Sequence, residues 1–143
     1  MAYPAIDIAQ YIVNWFHENK RTITNLKLQK LLYFVWQDYY KKTGKYLFNE
    51  GIYAWPLGPV VPDVYYDYCT YGGDPIERED SISLDTKIEE TLNSIISKYK
   101  DISARKLVDM THQEGTPWYH TFQRGNRLMI PFEEIIESLD QEC

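Results

Sequence analysis

His112 is the side chain whose type and surroundings best fit a catalytic or metal-binding role in this sequence. It lies in the segment 111–119, THQEGTPWY, where a predicted helix meets a Pro-Trp corner. Histidine can act as a base, a metal ligand or a pH switch. A zinc site needs three or four ligands, and no second histidine follows His112 at i+4. The sequence therefore favours a structural histidine, at a helix C-terminus with its ring against Trp118, over a small hydrolase or metal enzyme around His112.

The other reactive side chains form no recognised catalytic or metal motif. Cys69 lies in a tyrosine-rich predicted helix and is interpreted as a small core residue, and the second cysteine is Cys143. The carboxylate pairs 89–90 and 133–134 fall in helical patterns, where a solvated face explains them. The sequence has no Cys-x-x-Cys pair, Gly-x-Ser-x-Gly elbow or phosphate loop. We therefore expect a protein that is not an enzyme, with no catalytic residue, metal, cofactor or small-molecule substrate.

Residues 50–65 hold three prolines, two glycines, a tryptophan and two tyrosines. Each proline fixes its own φ and removes a backbone donor, so the stretch around Gly58 is predicted to form a stiff, largely extended elbow. Pro62 can then begin a helix, because proline is tolerated in a first turn. Two interpretations of the elbow stay open: it forms a corner of the core, or its aromatic and apolar residues are exposed and form a contact surface together with the loop 74–84. The predicted contact residues are Trp55, Leu57, Pro59, Val60, Tyr65 and Tyr66.

Charge and hydropathy narrow the classes of partner. The formal net charge is −6, and the basic clusters are local, whereas nucleic-acid binders usually present a basic face. A basic protein partner is therefore favoured over DNA or RNA. No apolar run approaches the roughly 20 residues of a membrane span, and the first residues show no secretory pattern. We expect a cytoplasmic protein that does not bind membranes.

The hydrophobic periodicity predicts a mainly α, compact single-domain fold with a central apolar helix and a small β-hairpin. The central helix follows a cap at Thr24 or Asn25, is apolar nearly all round, and ends at Gly44. The hairpin is assigned to strands 46–48 and 52–55 around the turn 49–51. The remaining predicted elements are helices over 6–19, 62–71, 85–99 and 104–112, one further helical turn over 117–122, and a last helix that begins at Pro131.

Three segments stand out by their order and spacing. They are TNLKLQKLLY at 24–33, AWPLGPVVPDVY at 54–65 with Tyr71-Gly72 after it, and THQEGTPW at 111–118. In this order they resemble the Panacea-domain family, also described as SocA-like antitoxins or GepA-type phage-associated proteins. The resemblance spans about residues 5–140 and implies one domain over 1–143. The chain departs from the family pattern at Pro56, where the family more commonly has an aromatic residue. Its motif and structural positions include Leu28, Lys30, Leu31, Tyr33, Gly58, Pro62, His112, Pro117 and Trp118.

The family resemblance implies an antitoxin of a toxin–antitoxin system, often carried on prophage or mobile DNA. Such a protein would neutralise its cognate toxin, encoded next to it, by direct protein–protein binding. One alternative is a DNA-binding regulator that uses residues 103–118 as a helix–turn–helix. Against that alternative, Gly115 and Pro117 interrupt the second helix, and side chains able to read bases are scarce.

Overall fold

The computed structural model describes residues 2–139, so Met1 and residues 140–143, with Cys143, lie outside the described part of the chain. The fold is mainly α, as the sequence predicts, with one small antiparallel sheet. Its elements in chain order are α1 Ala5–Glu18, α2 Asn25–Thr43, β1 Ile52–Trp55, β2 Gly58–Val60, α3 Pro62–Asp67, a 3₁₀ turn Cys69–Tyr71, α4 Thr86–Tyr99, α5 Ala104–His112, α6 Pro117–Arg124, β3 Met129–Ile130 and α7 Phe132–Leu139.

Helix α2 runs through the centre of the molecule, which confirms the predicted central apolar helix. Its first turn is capped by the Thr24 hydroxyl, which accepts a hydrogen bond from the Lys27 amide at 3.3 Å. Its last turn ends at Gly44, whose φ of 70° is the left-handed conformation that favours glycine. Every residue from 28 to 36 is buried, because α1, α4, α5 and the sheet surround the helix.

The hairpin exists, but the predicted strand 46–48 is wrong. Strand β1 pairs with β2 across the two-residue turn Pro56-Leu57, with Trp55 opposite Gly58 and Tyr53 opposite Val60. The elbow is therefore a tight hairpin and not an extended segment. Gly58 permits this turn because its φ is +117°, a value that side chains disfavour. Residues 46–48 instead run as irregular chain that buries Leu47 and Phe48 in the core.

A third strand, β3, completes the sheet in the order β2-β1-β3, and the sequence analysis assigned no strand there. Met129 pairs with Tyr53 and Ile130 with Ile52. The buried Ile130 follows the period of two of a half-buried strand, whereas Met129 is exposed. A strand of only two residues has too short a pattern to be identified without its partner.

Residues 62–84 differ from prediction in detail. The helix narrows to a 3₁₀ turn after Asp67, which turns Tyr68 fully into the core and leaves Cys69 exposed. The interpretation of Cys69 as a core residue is therefore wrong. The loop 74–84 is irregular but tied down: the Ile76 amide donates to the Ile23 carbonyl at 2.8 Å, and Arg78 pairs with Asp67 at 2.6 Å.

Candidate functional site

The buried side-chain amides of Asn25 and Gln29, on the first turns of α2, bind the chain that follows the hairpin. The Gln29 side-chain oxygen accepts a hydrogen bond from the Val61 amide at 2.9 Å. The Asn25 side-chain nitrogen donates to the Tyr65 carbonyl at 3.2 Å, and Gln29 donates to Asn25 at 3.0 Å. The Gln29 bond gives a partner to the Val61 amide at the entry to α3, and the Asn25 bond adds to the one that the Tyr65 carbonyl accepts from the Tyr68 amide at 3.3 Å. The polar side chains of Asn25 and Gln29 in the segment 24–33 therefore fix the position of α3.

Lys30 of α2 holds strand β2 in place by a hydrogen bond. Its side chain has no solvent exposure, and its ammonium nitrogen donates to the Pro59 carbonyl at 2.7 Å. Burial lowers the pKa of Lys30 to about 7 because the charged form loses its hydration. A Cβ at Gly58 would lie 2.9 Å from the Lys30 Cε and 2.9 Å from the Thr111 Oγ1. Glycine is therefore required at position 58 for close approach as well as for its φ.

His112 and Trp118 lie together at the other side of the hairpin. Their rings stack with centroids 3.9 Å apart and planes 6° apart, which confirms that the His112 ring lies against Trp118. The Trp118 indole nitrogen donates to the Trp55 carbonyl at 2.7 Å. Burial and the nearby Lys30 charge lower the pKa of His112, and its Nε2 has no hydrogen-bond partner among residues 2–139. The arrangement is that of a neutral, packed ring.

The motif residues thus meet around the hairpin although they are far apart in the sequence. Lys30, Gly58, His112 and Trp118 surround it directly, whereas Leu28 and Leu31 are fully buried in the core. Tyr33 packs its ring edge on Phe34. Pro62 and Pro117 lie in the first turns of α3 and α6. Across the described residues 2–139, no group of three or more His, Cys, Asp or Glu side chains could hold a metal ion.

Trp55 lies on the outer face of β1 at the centre of an aromatic group. Its ring is 5.1 Å from Tyr65 and 6.1 Å from Tyr66, centroid to centroid, and both rings are steeply inclined to it. The guanidinium of Arg127 lies 4.2 Å from the Trp55 ring centroid. Trp55 and Tyr65 are half-buried, so each has one face packed and one available. This group is the part of the predicted contact surface that the structure assembles.

Large exposed apolar side chains lie on the elements around β1. Among residues 2–139 they are Leu57, 58% exposed, Tyr66, 59%, Leu128, 45%, and Met129, 49%. They belong to the hairpin turn, to α3 and to the chain at β3, which forms the edge of the sheet opposite β2. Clustered exposed apolar residues mark interaction sites more often than single ones do. We define the aromatic face as Trp55, Leu57, Tyr65, Tyr66, Arg127, Leu128 and Met129.

Two predicted contact residues do not belong to this surface. Pro59 and Val60 are buried, because β2 packs against α2 and α5. Sequence reasoning also missed Arg127, Leu128 and Met129. The only sequence feature that marks these three residues is the short run RLMI at 127–130 ahead of a proline. The pairing of β3 with β1 is what shows which residues lie next to this run.

A groove of about 350 Å³ runs between the start of α2 and the hairpin turn, next to the aromatic face. Its side walls are mostly apolar, and Lys30 lies at its floor. Arg127 stands at its rim. The groove is also lined by Leu26, Trp55, Leu57, Tyr65 and Cys69.

The helices α5 and α6, which carry the proposed helix–turn–helix, are committed to internal packing. Helix α6 runs to Arg124, further than the predicted turn, and buries Pro117, Trp118 and Thr121. Arg124 pairs with Glu134 at 2.9 Å. Within residues 2–139, no observation on this pair of helices favours base readout. Among residues 2–139, no helix is both long enough and apolar enough to cross a membrane.

Comparison with known proteins places these features in a family. Residues 28–119 match the family described as "Antitoxin SocA-like, Panacea domain", a range that includes Lys30, Gly58, His112 and Trp118. The chain is similar to "Antitoxin SocA" of Caulobacter vibrioides (strain NA1000 / CB15N), with 33% identity over 109 residues. That match covers 67% of this chain and 58% of the relative, so the chain spans less than two thirds of that protein. No solved structure matches. The chain belongs to the SocA-like antitoxin family with a Panacea domain.

Proposed function

We propose that this protein is the antitoxin of a toxin–antitoxin system and that it neutralises its cognate toxin by direct protein–protein binding. Membership of the SocA-like family supports the antitoxin role. The observation that carries the binding mode is the aromatic face, in which Tyr66 packs on Trp55 and the other large exposed apolar side chains among residues 2–139 lie on the hairpin turn and at β3. The partner is a toxin encoded next to this gene, the site of action is the cytoplasm, and the protein acts by occlusion and not by catalysis.

The aromatic face suits binding because it is already ordered. Trp55 is held from behind, since its carbonyl accepts the Trp118 indole N–H and its ring packs on Tyr65. A surface that is fixed before binding loses less conformational entropy when a partner docks. Tryptophan and tyrosine are also enriched among the residues that dominate interface energies. Trp55 is therefore the residue whose loss should weaken toxin binding most.

Long-range charge favours a basic toxin. The chain carries a formal charge of −6, and an acidic protein attracts a basic partner over distances of about 10 Å, the Debye length near 0.1 M salt. Charge complementarity raises the association rate more than it raises the final affinity. We expect association with the toxin to slow as salt is added.

The test is co-expression with the adjacent reading frame, followed by growth measurement and co-purification. Toxicity that disappears together with a stable complex supports direct neutralisation. A harmless neighbour, or rescue without a complex, contradicts it.

The Trp55→Ala variant then locates the surface. The substitution keeps the backbone carbonyl that Trp118 uses, so the hairpin should remain folded. Truncating a hot-spot residue costs about 2 kcal/mol or more, which weakens binding about thirtyfold. Trp15→Ala is the matched control, because Trp15 is also a half-buried tryptophan but lies on α1, outside the aromatic face. If Trp55→Ala folds and binds as tightly as Trp15→Ala, the aromatic face is not the toxin-binding surface.

A further inference from the structure

The groove beside the aromatic face combines apolar walls with positive charge. Leu26, Trp55, Leu57 and Tyr65 form much of its lining, and Leu57 is more than half exposed. None of the residues that line it is acidic, although the chain as a whole is. An apolar side chain that entered the groove would be desolvated against these walls.

Arg127 is arranged to bind an anion at the rim of this groove. The carbon of its guanidinium lies 4.2 Å from the Trp55 ring centroid, a cation–π contact, and Arg127 is exposed. It forms no ion pair with any residue from 2 to 139, whereas Arg21, Arg78 and Arg124 each pair with a carboxylate. A guanidinium matches a carboxylate in a two-point hydrogen bond.

The backbone at Arg127 is also unusual. Its φ is 63°, a left-handed conformation that costs energy for a residue with a side chain, and its amide donates to the Ala54 carbonyl at 2.9 Å. Residues held in such conformations cluster at functional sites. The hairpin and β3 therefore hold Arg127 over Trp55 at the expense of local strain.

The floor of the groove places no negative charge near Arg127. Lys30 lies there, with its nitrogen bonded to the Pro59 carbonyl, and its pKa of about 7 leaves it only partly charged at neutral pH. Arg127 is therefore the main charged group of the groove in a protein of net charge −6. A carboxylate at the rim would be attracted, and a lysine or arginine there would be repelled.

We propose that the groove receives a segment of the toxin in which an apolar side chain lies next to an aspartate or glutamate. The apolar side chain enters between Leu26 and Leu57, and the carboxylate binds the guanidinium of Arg127. This inference rests on the antitoxin function proposed above, and it names the chemistry of the segment that is recognised.

The first experiment uses Cys69 as a reporter of groove occupancy. Cys69 is exposed and lines the groove, and Cys143→Ser would leave it as the one thiol of the sequence. The rate of its alkylation by iodoacetamide is measured for the free protein and for its complex with the protein encoded by the adjacent reading frame. We expect alkylation in the complex to slow at least tenfold. An unchanged rate in a stable complex overturns the groove assignment and leaves the antitoxin function standing.

The second experiment tests the carboxylate by calorimetric titration of the same complex. Arg127→Glu reverses the rim charge, and we expect it to weaken binding at least about thirtyfold. Arg127→Gly removes the guanidinium and relieves the left-handed backbone, so it should fold well and still bind at least about tenfold more weakly. Arg105→Glu is the control, because Arg105 is exposed on α5 outside the groove and its reversal changes the net charge equally.

The outcomes separate the two proposals. Weakening by both Arg127 variants, with Arg105→Glu near wild type, supports a carboxylate at the rim. Equal weakening by Arg127→Glu and Arg105→Glu, or tighter binding by Arg127→Glu, overturns it. If the unmodified protein forms no complex with the adjacent gene product, the antitoxin proposal fails, and this inference fails with it.

Discussion

Replacing Lys30 by methionine should remove most of the pH dependence of stability between pH 7 and 9.5. Lys30 is fully buried, and its ammonium nitrogen donates a hydrogen bond to the Pro59 carbonyl at 2.7 Å. Its pKa falls from the usual 10.5 to about 7 in the folded protein. Between these values the unfolded chain binds a proton that the folded protein does not, so the free energy of unfolding must rise with pH.

The size of the effect follows from the shift. One pKa unit corresponds to about 1.36 kcal/mol, so the neutralisation of Lys30 costs roughly 4 kcal/mol of stability at pH 7 and roughly 1 kcal/mol at pH 9.5. The Lys30→Met variant avoids that cost but leaves the Pro59 carbonyl without its donor, a loss of about 1–3 kcal/mol at every pH. We therefore expect the variant to be more stable than wild type at pH 7 and to lose that advantage by pH 9.5.

The assay is urea unfolding followed by tryptophan fluorescence at pH 7, 8, 9 and 9.5. The upper limit avoids the tyrosines, of which Tyr68 has its pKa raised to about 12 by burial. Lys106→Met, at an exposed position on α5, is the control and should keep the wild-type pH profile. Parallel profiles for wild type and Lys30→Met would refute the reasoning, because Lys30 would then be charged in the folded protein.

Two further substitutions test the support of the hairpin. Gly58→Ala would place a Cβ 2.9 Å from the Lys30 Cε at a φ of +117°, so we expect a loss of about 2 kcal/mol or more, measured by chemical denaturation. Gly44→Ala is its control, because its φ of +70° carries left-handed backbone strain but nothing lies within 4 Å, and the loss should be about 1 kcal/mol. His112→Phe keeps a ring against Trp118 but cannot bind a proton. Because the folded protein lowers the His112 pKa, wild type should lose stability relative to this variant as pH falls below about 6.5, and equal pH dependence in thermal melts would contradict this.

The local rules of the sequence located most helices well. The cap at Thr24 and the glycine stop at Gly44 bound α2, and Ser103 caps α5 by accepting from the Lys106 amide at 3.1 Å. These signals act over a few residues, so they can be read without knowing the fold. The apolar residues on nearly every side of α2 likewise indicated its central place, because only a buried helix tolerates apolar residues nearly all round.

The hairpin was predicted in the wrong place for a physical reason. Proline restricts φ and removes a donor, which argued against a strand at Pro59, yet Pro59 pairs with Ala54 in β2. The order β2-β1-β3 makes β2 an edge strand, where a missing N–H is tolerated. The position of a strand within a sheet is not a local property, so the sequence could not reveal it.

By itself, the sequence determined the α-rich class, the acidic charge and the placement of the His112 ring against Trp118. Tertiary structure alone decided which residues near Trp55 are exposed to solvent and which are buried. Burial of Val60 and exposure of Cys69 depend on what packs behind each backbone segment, and the stacking of Arg127 on Trp55 joins residues that are far apart in the chain. Contact surfaces are made by such long-range juxtapositions, whereas helices are made by neighbours a few residues apart.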